Sequence, residues 1–155
     1  MVNKIIFDRE LIEKCQTNAP RYTSYPTADR FNFDFSEATQ LNQLNKVFIE
    51  QKSDEAISLY IHIPFCNTLC LYCGCNKIIT NNRQSIDTYL DYLEREIIIY
   101  YNLIQYKPNV VQLHFGGGSP SWMDKEQVSR VMNLVRQYFN LDTAHEIAME
   151  IDPRH

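Results

Sequence analysis

From Ile57 to Ile63 the chain alternates apolar and polar residues without a break, the period of a half-buried β-strand. Ile57, Leu59, Ile61 and Ile63 fall on one face, and Ser58, Tyr60 and His62 on the other. Pro64 ends the run. The period then lengthens. Ile86, Tyr89, Leu90, Leu93, Ile97 and Tyr100 recur at helical spacing and predict a helix from about Ser85 to Tyr101, with Ser85 as its N-cap and Asp87 in its first turn. A second strand is predicted over Val110–Phe115, running into Gly116-Gly117-Gly118-Ser119-Pro120. Asp124-Lys125-Glu126-Gln127 has the form of a capping box and opens a further helix, striped by Val128, Val131, Met132, Val135 and Phe139. A third strand, Glu146–Ile151, stops at Asp152-Pro153. It sets Ile147, Met149 and Ile151 on one face and Glu146, Ala148 and Glu150 on the other.

The N-terminal third reads differently. Residues 8–15 suit a short helix with Leu11, Ile12 and Cys15 on one side, and Cys15 reads as a small buried hydrophobe. Ala19–Thr27 holds two prolines, hydroxyls and two tyrosines, and reads as an extended surface arm. A helix from about Ser36 to Lys52, introduced by Asp34-Phe35-Ser36-Glu37, groups Leu41, Leu44, Val47 and Phe48. The division is therefore 1–54, arm and helix, ahead of 55–155, where β–loop–α–β–loop–α–β implies an α/β fold with parallel strands joined by crossover helices. Such sheets keep their chemistry at the C-terminal strand ends. The cysteine-rich loop, the glycine run and Glu150 all fall there.

Composition narrows the partners. A formal net charge of −4 with no basic patch argues against nucleic acid and against an anionic membrane surface. No apolar run approaches the ~18 residues of a membrane helix, and the start, Met1-Val2-Asn3-Lys4-Ile5-Ile6-Phe7-Asp8, turns charged too early for a secretory leader. Five cysteines, four of them clustered, suit a metal site in a reducing compartment better than a disulfide framework, which points to the cytoplasm.

The cluster runs Cys66-x3-Cys70-x2-Cys73, with Cys75 two residues on. Three soft thiolates on one loop suit a [4Fe–4S] cube and leave one iron without a protein ligand. The alternative is a structural zinc knot, with Cys75 or His62 as fourth ligand. Cys75 reads as a free thiol beside the cluster, because its short spacing from Cys73 strains a fourth bond to the same cube. Tyr60 is either a core tyrosine or a side chain aimed at the site, and His62 is most simply a hydrogen-bonded histidine. The three glycines match neither the dinucleotide fingerprint nor the phosphate-binding loop; they either make a tight turn or let backbone approach a ligand. Glu150 is either a surface glutamate or a carboxylate projecting into a barrel.

Taken together these residues resemble the radical S-adenosylmethionine (SAM) superfamily and, within it, the oxygen-independent coproporphyrinogen III oxidase family. The similar stretches are Pro20–Thr27, Leu59–Cys66, Tyr72–Lys77, His114–Pro120 and Glu150–Arg154, so the likeness runs from about residue 18 to the end. The cysteine motif marks the superfamily; Cys75 and the Arg21-Tyr22-Thr23-Ser24-Tyr25 arm mark the family, against a haem-chaperone branch that lacks them. The resemblance implies the first three βα units of a partial parallel, TIM-like radical SAM barrel, with the remaining strands and a C-terminal domain absent and an exposed edge at Ile147, Met149 and Ile151. It implies that Cys66, Cys70 and Cys73 ligate the cluster, and that Tyr60, Gly117 and Glu150 contact SAM. It further implies that Tyr72, Gly118 and Ser119 lie near SAM, the latter two near a second SAM molecule. Tyr60 and Cys75 become the catalytic candidates, and the arm a segment reaching over the site. Ser119 and Ser121 stand where the family usually has threonine, with the hydroxyls kept. The implied reaction is oxidative decarboxylation of coproporphyrinogen III to protoporphyrinogen IX in haem synthesis. A radical from reductively cleaved SAM takes hydrogen from a propionate β-carbon, and loss of CO2 and an electron leaves a vinyl group. An electron donor is a required partner. The expectation for these 155 residues alone is an incomplete enzyme with little turnover.

Overall fold

The computed structural model describes residues 8–16, 30, 34–50 and 56–154. The chain divides into two units, Met1–Glu37 and Ala38–His155. The arm over Ala19–Thr27 and the ends of the Ser36–Lys52 helix beyond residue 50 lie outside the described residues.

In the first unit α1 (Arg9–Cys15) is capped by Asp8, whose carboxylate accepts the Leu11 N–H at 3.0 Å. It buries no residue, and Cys15 is exposed, which corrects the reading of that cysteine as a core hydrophobe. A seven-residue helix has too short an apolar stripe to seat itself.

The next helix begins as α2 (Glu37–Leu44) and continues as a π-helical stretch, Asn45–Glu50. The wider π turn keeps Phe48 half-buried, as Leu41 and Leu44 are, but rotates Val47 outward, which breaks the expected four-residue stripe.

The core of the second unit is a parallel sheet of β1 (Ile57–Ile63), β4 (Val110–Gly117) and β5 (Glu146–Met149), in the order β1-β4-β5. The crossovers carry α3 (Gln84–Ile104) and α4 (Lys125–Tyr138). Both helices lie on one face. Ile61 and Ile63, Ile86 and Leu90 of α3, Leu113 and Phe115 of β4, and Val131 and Val135 of α4 form one buried cluster. The other face is polar: Ser58 Oγ donates to Gln112 Oε1 at 3.1 Å and Gln112 Nε2 to Glu146 Oε2 at 3.2 Å, a row across all three strands. The alternation read in Ile57–Ile63 thus sets a wet face against a dry one.

Several boundaries differ from the sequence reading. β4 pairs through Gly117 because Gly116 and Gly117 stay in register with His62 and Ile63. Its register skips Val111, and this bulge returns Val110 to the dry side with Leu113 and Phe115, where strict alternation would place it with Gln112. α3 starts at Gln84, so Ser85 is inside the helix; Asn82 Oδ1 accepts the Gln84 N–H at 3.0 Å instead. Asp87 is in the first turn, as expected. β5 ends at Met149, and Ile147 is 53% exposed on the outermost strand among the described residues.

The capping box of α4 is complete: Asp124 Oδ1 accepts the Gln127 N–H at 2.8 Å, and Gln127 Oε1 accepts the Asp124 N–H at 3.1 Å. Gln127 is buried and its amide also donates to Asp87 Oδ1 at 3.0 Å, tying α4 to α3. Asp124→Ala is expected to lower stability by about 1 kcal/mol, read as a shift of the urea midpoint at constant slope; an unmoved midpoint contradicts it.

Candidate functional site

Pro64 cannot extend the sheet, so the chain leaves β1 as a loop. With the next residue it pairs again: β2 (Phe65–Cys66) lies parallel to β3 (Ile78–Ile79). The Ile78 N–H donates to Pro64 O at 2.7 Å and the Thr80 N–H to Cys66 O at 2.9 Å, which closes the cysteine loop at its base. The glycine run is stitched to the same base. Gly118 N–H donates to Ile63 O and Ser119 N–H to Phe65 O, both at 2.8 Å. The end of the third strand is held too, through Glu150 N–H on Phe115 O at 2.9 Å.

These three strand ends enclose a cleft of about 710 Å³ lined by Cys66, Cys70, Cys73, Cys75, Tyr72, Gly117, Gly118, Ser119, Glu150 and Arg154, among others. The structure therefore brings nearly all the sequence-selected side chains to one place. Cys66 is buried; Cys70 and Cys73 are half-buried; Cys75 and Tyr72 are exposed. Cys73 is held below the ordinary thiol range, mainly by the Cys75 backbone N–H and against some desolvation, with the Cys75 thiol and Lys77 adding to it. Cys75 is pushed up, because its thiol donates to Cys73 and because burial and nearby negative charge oppose its ionisation. Among the described residues no three His, Cys, Asp or Glu side chains converge to grip a single metal ion.

Tyr60 is placed apart. It does not line the cleft but a neighbouring hollow of about 200 Å³ on the wet face, with Ser58, Gln112, His114, Glu146 and Ala148. It is 54% exposed, so it is not a core tyrosine. Its hydroxyl nevertheless turns toward the cleft. His62 Nε2 lies 2.8 Å from Asn76 O, which can only accept, so that nitrogen carries the proton; Nδ1, 3.2 Å from Tyr60 Oη, then accepts from the phenol. Partial burial, then the charges of Glu150 and Cys75, raise the Tyr60 pKa. A side chain on Gly116 would meet Tyr60 Oη at 2.9 Å and Glu150 Oε1 at 3.1 Å, so both groups converge over that bare backbone.

Glu150 Oε2 accepts the Gly117 N–H at 3.1 Å, and its Oε1 is 3.6 Å from His114 Nε2. His114 stacks on Tyr60 with ring centroids 5.9 Å apart and planes 9° from parallel. Sequence reading assigned no role to His114 or Arg154. The signal for His114 was its register with Gln112 on the polar side of β4. For Arg154 there was no local signal, because its contact with Cys70 spans 84 residues.

A parallel α/β sheet with a three-cysteine loop after its first strand and a glycine run after its second is the N-terminal part of the radical SAM fold. A solved structure, coproporphyrinogen III oxidase (HemN) from Escherichia coli, described as a radical SAM enzyme, superposes with a TM-score of 0.74 at 43% identity, over 97% of this chain and 32% of that one. The chain belongs to the oxygen-independent coproporphyrinogen III oxidase family. It is 43% identical over 155 residues to that protein from Mannheimia haemolytica, covering 98% of this chain and 100% of the relative. It is 44% identical over 153 residues to the Escherichia coli K12 relative, covering 99% of this chain and 32% of the relative. The chain thus spans about a third of the length of the Escherichia coli and Salmonella typhimurium relatives. No protein-family model matches it.

The family implies a [4Fe–4S] cluster and SAM, and the donor set fits them. Three thiols on one loop are soft ligands of the kind iron–sulfur clusters take. The loop faces a cleft large enough for a small molecule, with Gly117, Gly118 and Ser119 in its lining.

Proposed function

We propose that this chain provides the cluster- and SAM-binding part of an oxygen-independent coproporphyrinogen III dehydrogenase, acting in porphyrin and haem synthesis. The observation that carries the reading is the single cleft in which Cys66, Cys70 and Cys73 face Gly117, Gly118, Ser119 and Glu150 from the ends of three parallel strands. In this reading Cys66, Cys70 and Cys73 hold the cluster, and Cys75 remains a protonated thiol beside it. Bound together, the cluster and SAM supply one-electron reductive cleavage and hydrogen abstraction from a substrate propionate.

The protein's own part is placement. Gly117 and Gly118 contribute main chain to the lining of that space, and Ser119 offers a hydroxyl beside them. Glu150, anchored by the Gly117 N–H, keeps acceptor capacity for an ammonium or a ribose hydroxyl. Tyr60, oriented through His62, places a phenol at the edge of the same space. Tyr72 stands exposed on the cysteine loop, where a flat ligand could pack against it. Coproporphyrinogen III, an electron donor and a second SAM molecule near Gly118 and Ser119 complete the proposal. Five free cysteines suit a cytoplasmic setting, and no described helix is long and apolar enough to cross a membrane.

Anaerobic reconstitution tests it. The expected product is a brown chain with about four irons and four sulfides, whose reduced spectrum changes when SAM is added. One colourless zinc per chain, with no iron taken up, would replace this reading with the structural zinc knot.

A further inference from the structure

Arg154 lies on the rim of the cleft and belongs to none of the roles above. Asp152 holds its guanidinium from one side: Nε donates to Oδ1 at 2.8 Å and Nη2 to Oδ2 at 2.6 Å. The same carboxylate accepts the Arg154 backbone N–H at 3.1 Å. The Asp152 side chain is only 12% exposed, and its backbone N–H donates to Ser121 Oγ at 3.0 Å. A planar fork gripped on two nitrogens has little freedom left, so its remaining hydrogens point in fixed directions. One of them meets the loop: Nη2 donates to Cys70 Sγ at 3.5 Å.

We propose that Arg154 is a positioning residue of the iron–sulfur site, whose pinned guanidinium donates a hydrogen bond to the Cys70 sulfur and raises the reduction potential of a cluster ligated there. The inference rests on the ligand set given under Proposed function. Reduction adds one electron, and the added charge spreads over the iron, the sulfides and the ligand thiolates. A donor hydrogen fixed on one of those sulfurs favours the more negative form. Asp152 offsets much of the net charge of Arg154, so the directed N–H, rather than a bare cation, acts at the sulfur. The guanidinium is 56% exposed, and water screens part of the effect. The geometry also links the end of the third strand to the cysteine loop, so that the loop's electrostatics depend on a residue four positions past Glu150.

The test is an electron-spin-resonance redox titration of the anaerobically reconstituted chain, with dithionite as reductant, in wild type, R154Q and R154K. Iron content is expected to be equal in all three. At any fixed potential the ratio of reduced to oxidised cluster in R154Q is expected to fall about tenfold, or about 59 mV for one electron. R154K, which keeps the charge but not the fork, is expected to lie between. Equal midpoints in wild type and R154Q overturn the inference and leave the cluster assignment standing. A wild-type chain that takes up no iron overturns both. If R154Q loads less iron than wild type, R154K takes its place, and a wild-type midpoint in R154K overturns the inference.

Discussion

Cys66→Ser is expected to take the chain from about four irons to almost none, while Cys75→Ser leaves iron content near wild type. The two thiols sit nine residues apart on one loop, yet their surroundings differ. Cys66 is 8% exposed, and its strand pairs with β3. Its sulfur faces Gly118 so closely that a methyl group there would lie 2.9 Å away. Serine fills nearly the same space, so the loop base keeps its shape; what is lost is a soft, ionisable donor, because an alcohol stays protonated at neutral pH and binds iron poorly. Cys75 is exposed and already donates to Cys73. Its removal deletes a neighbour, not a ligand. Metal analysis with a urea melt on each variant separates chemistry from folding, since both proteins are expected to melt within about 1 kcal/mol of wild type. Equal loss of metal in the two variants would mean that four thiols share one ion, and the open-iron reading would fall.

The contrast also shows what a linear sequence can reveal about such a site. The three cysteines, the glycines and Glu150 were legible because each sits at a strand end, and strand ends follow from local periodicity. Ile57–Ile63 reads as a strand from its own alternation, and the α4 capping box from four adjacent residues. The rest depended on partners distant in sequence. The β2–β3 pairing involves two residues a side, too few to show a period. The bulge at Val111 appears only once β1 supplies the register. The π turn after Leu44 carries the apolar residues an α-helix would, and only the backbone hydrogen-bond pattern tells the two apart. Tyr60 is the instructive case. Its face was read correctly, but its link to the cleft runs through His62 to the carbonyl of Asn76, fourteen residues on, and no pattern in the strand encodes that.

Replacing Gly118 or Gly117 with alanine is expected to be the most destabilising single change in the site, and the two should fail for different reasons. At Gly118 the new methyl would lie 2.8 Å from Phe65 O and from Pro64 C, both backbone atoms of the loop base. Those atoms are tied by the Gly118–Ile63 and Ser119–Phe65 hydrogen bonds, so the clash can be relieved only by parting the glycine run from the cysteine loop. A loss of about 3 kcal/mol follows from overpacking against a rigid wall, lowering the melting temperature by about 10 °C. Gly117 has φ +112°, where a side chain costs about 1–3 kcal/mol whatever surrounds it. Its methyl would also meet the His62 ring at 2.6 Å. That ring can swing aside, at the loss of its bonds to Tyr60 and Asn76. A double-mutant cycle distinguishes the two mechanisms. His62→Ala should recover about half of the Gly117→Ala loss, because the clash disappears and the backbone strain remains. The same His62→Ala should do nothing for Gly118→Ala, whose obstacle is main chain. If Gly118→Ala melts within about 0.5 kcal/mol of wild type, the loop base is not a rigid floor beneath the cysteines.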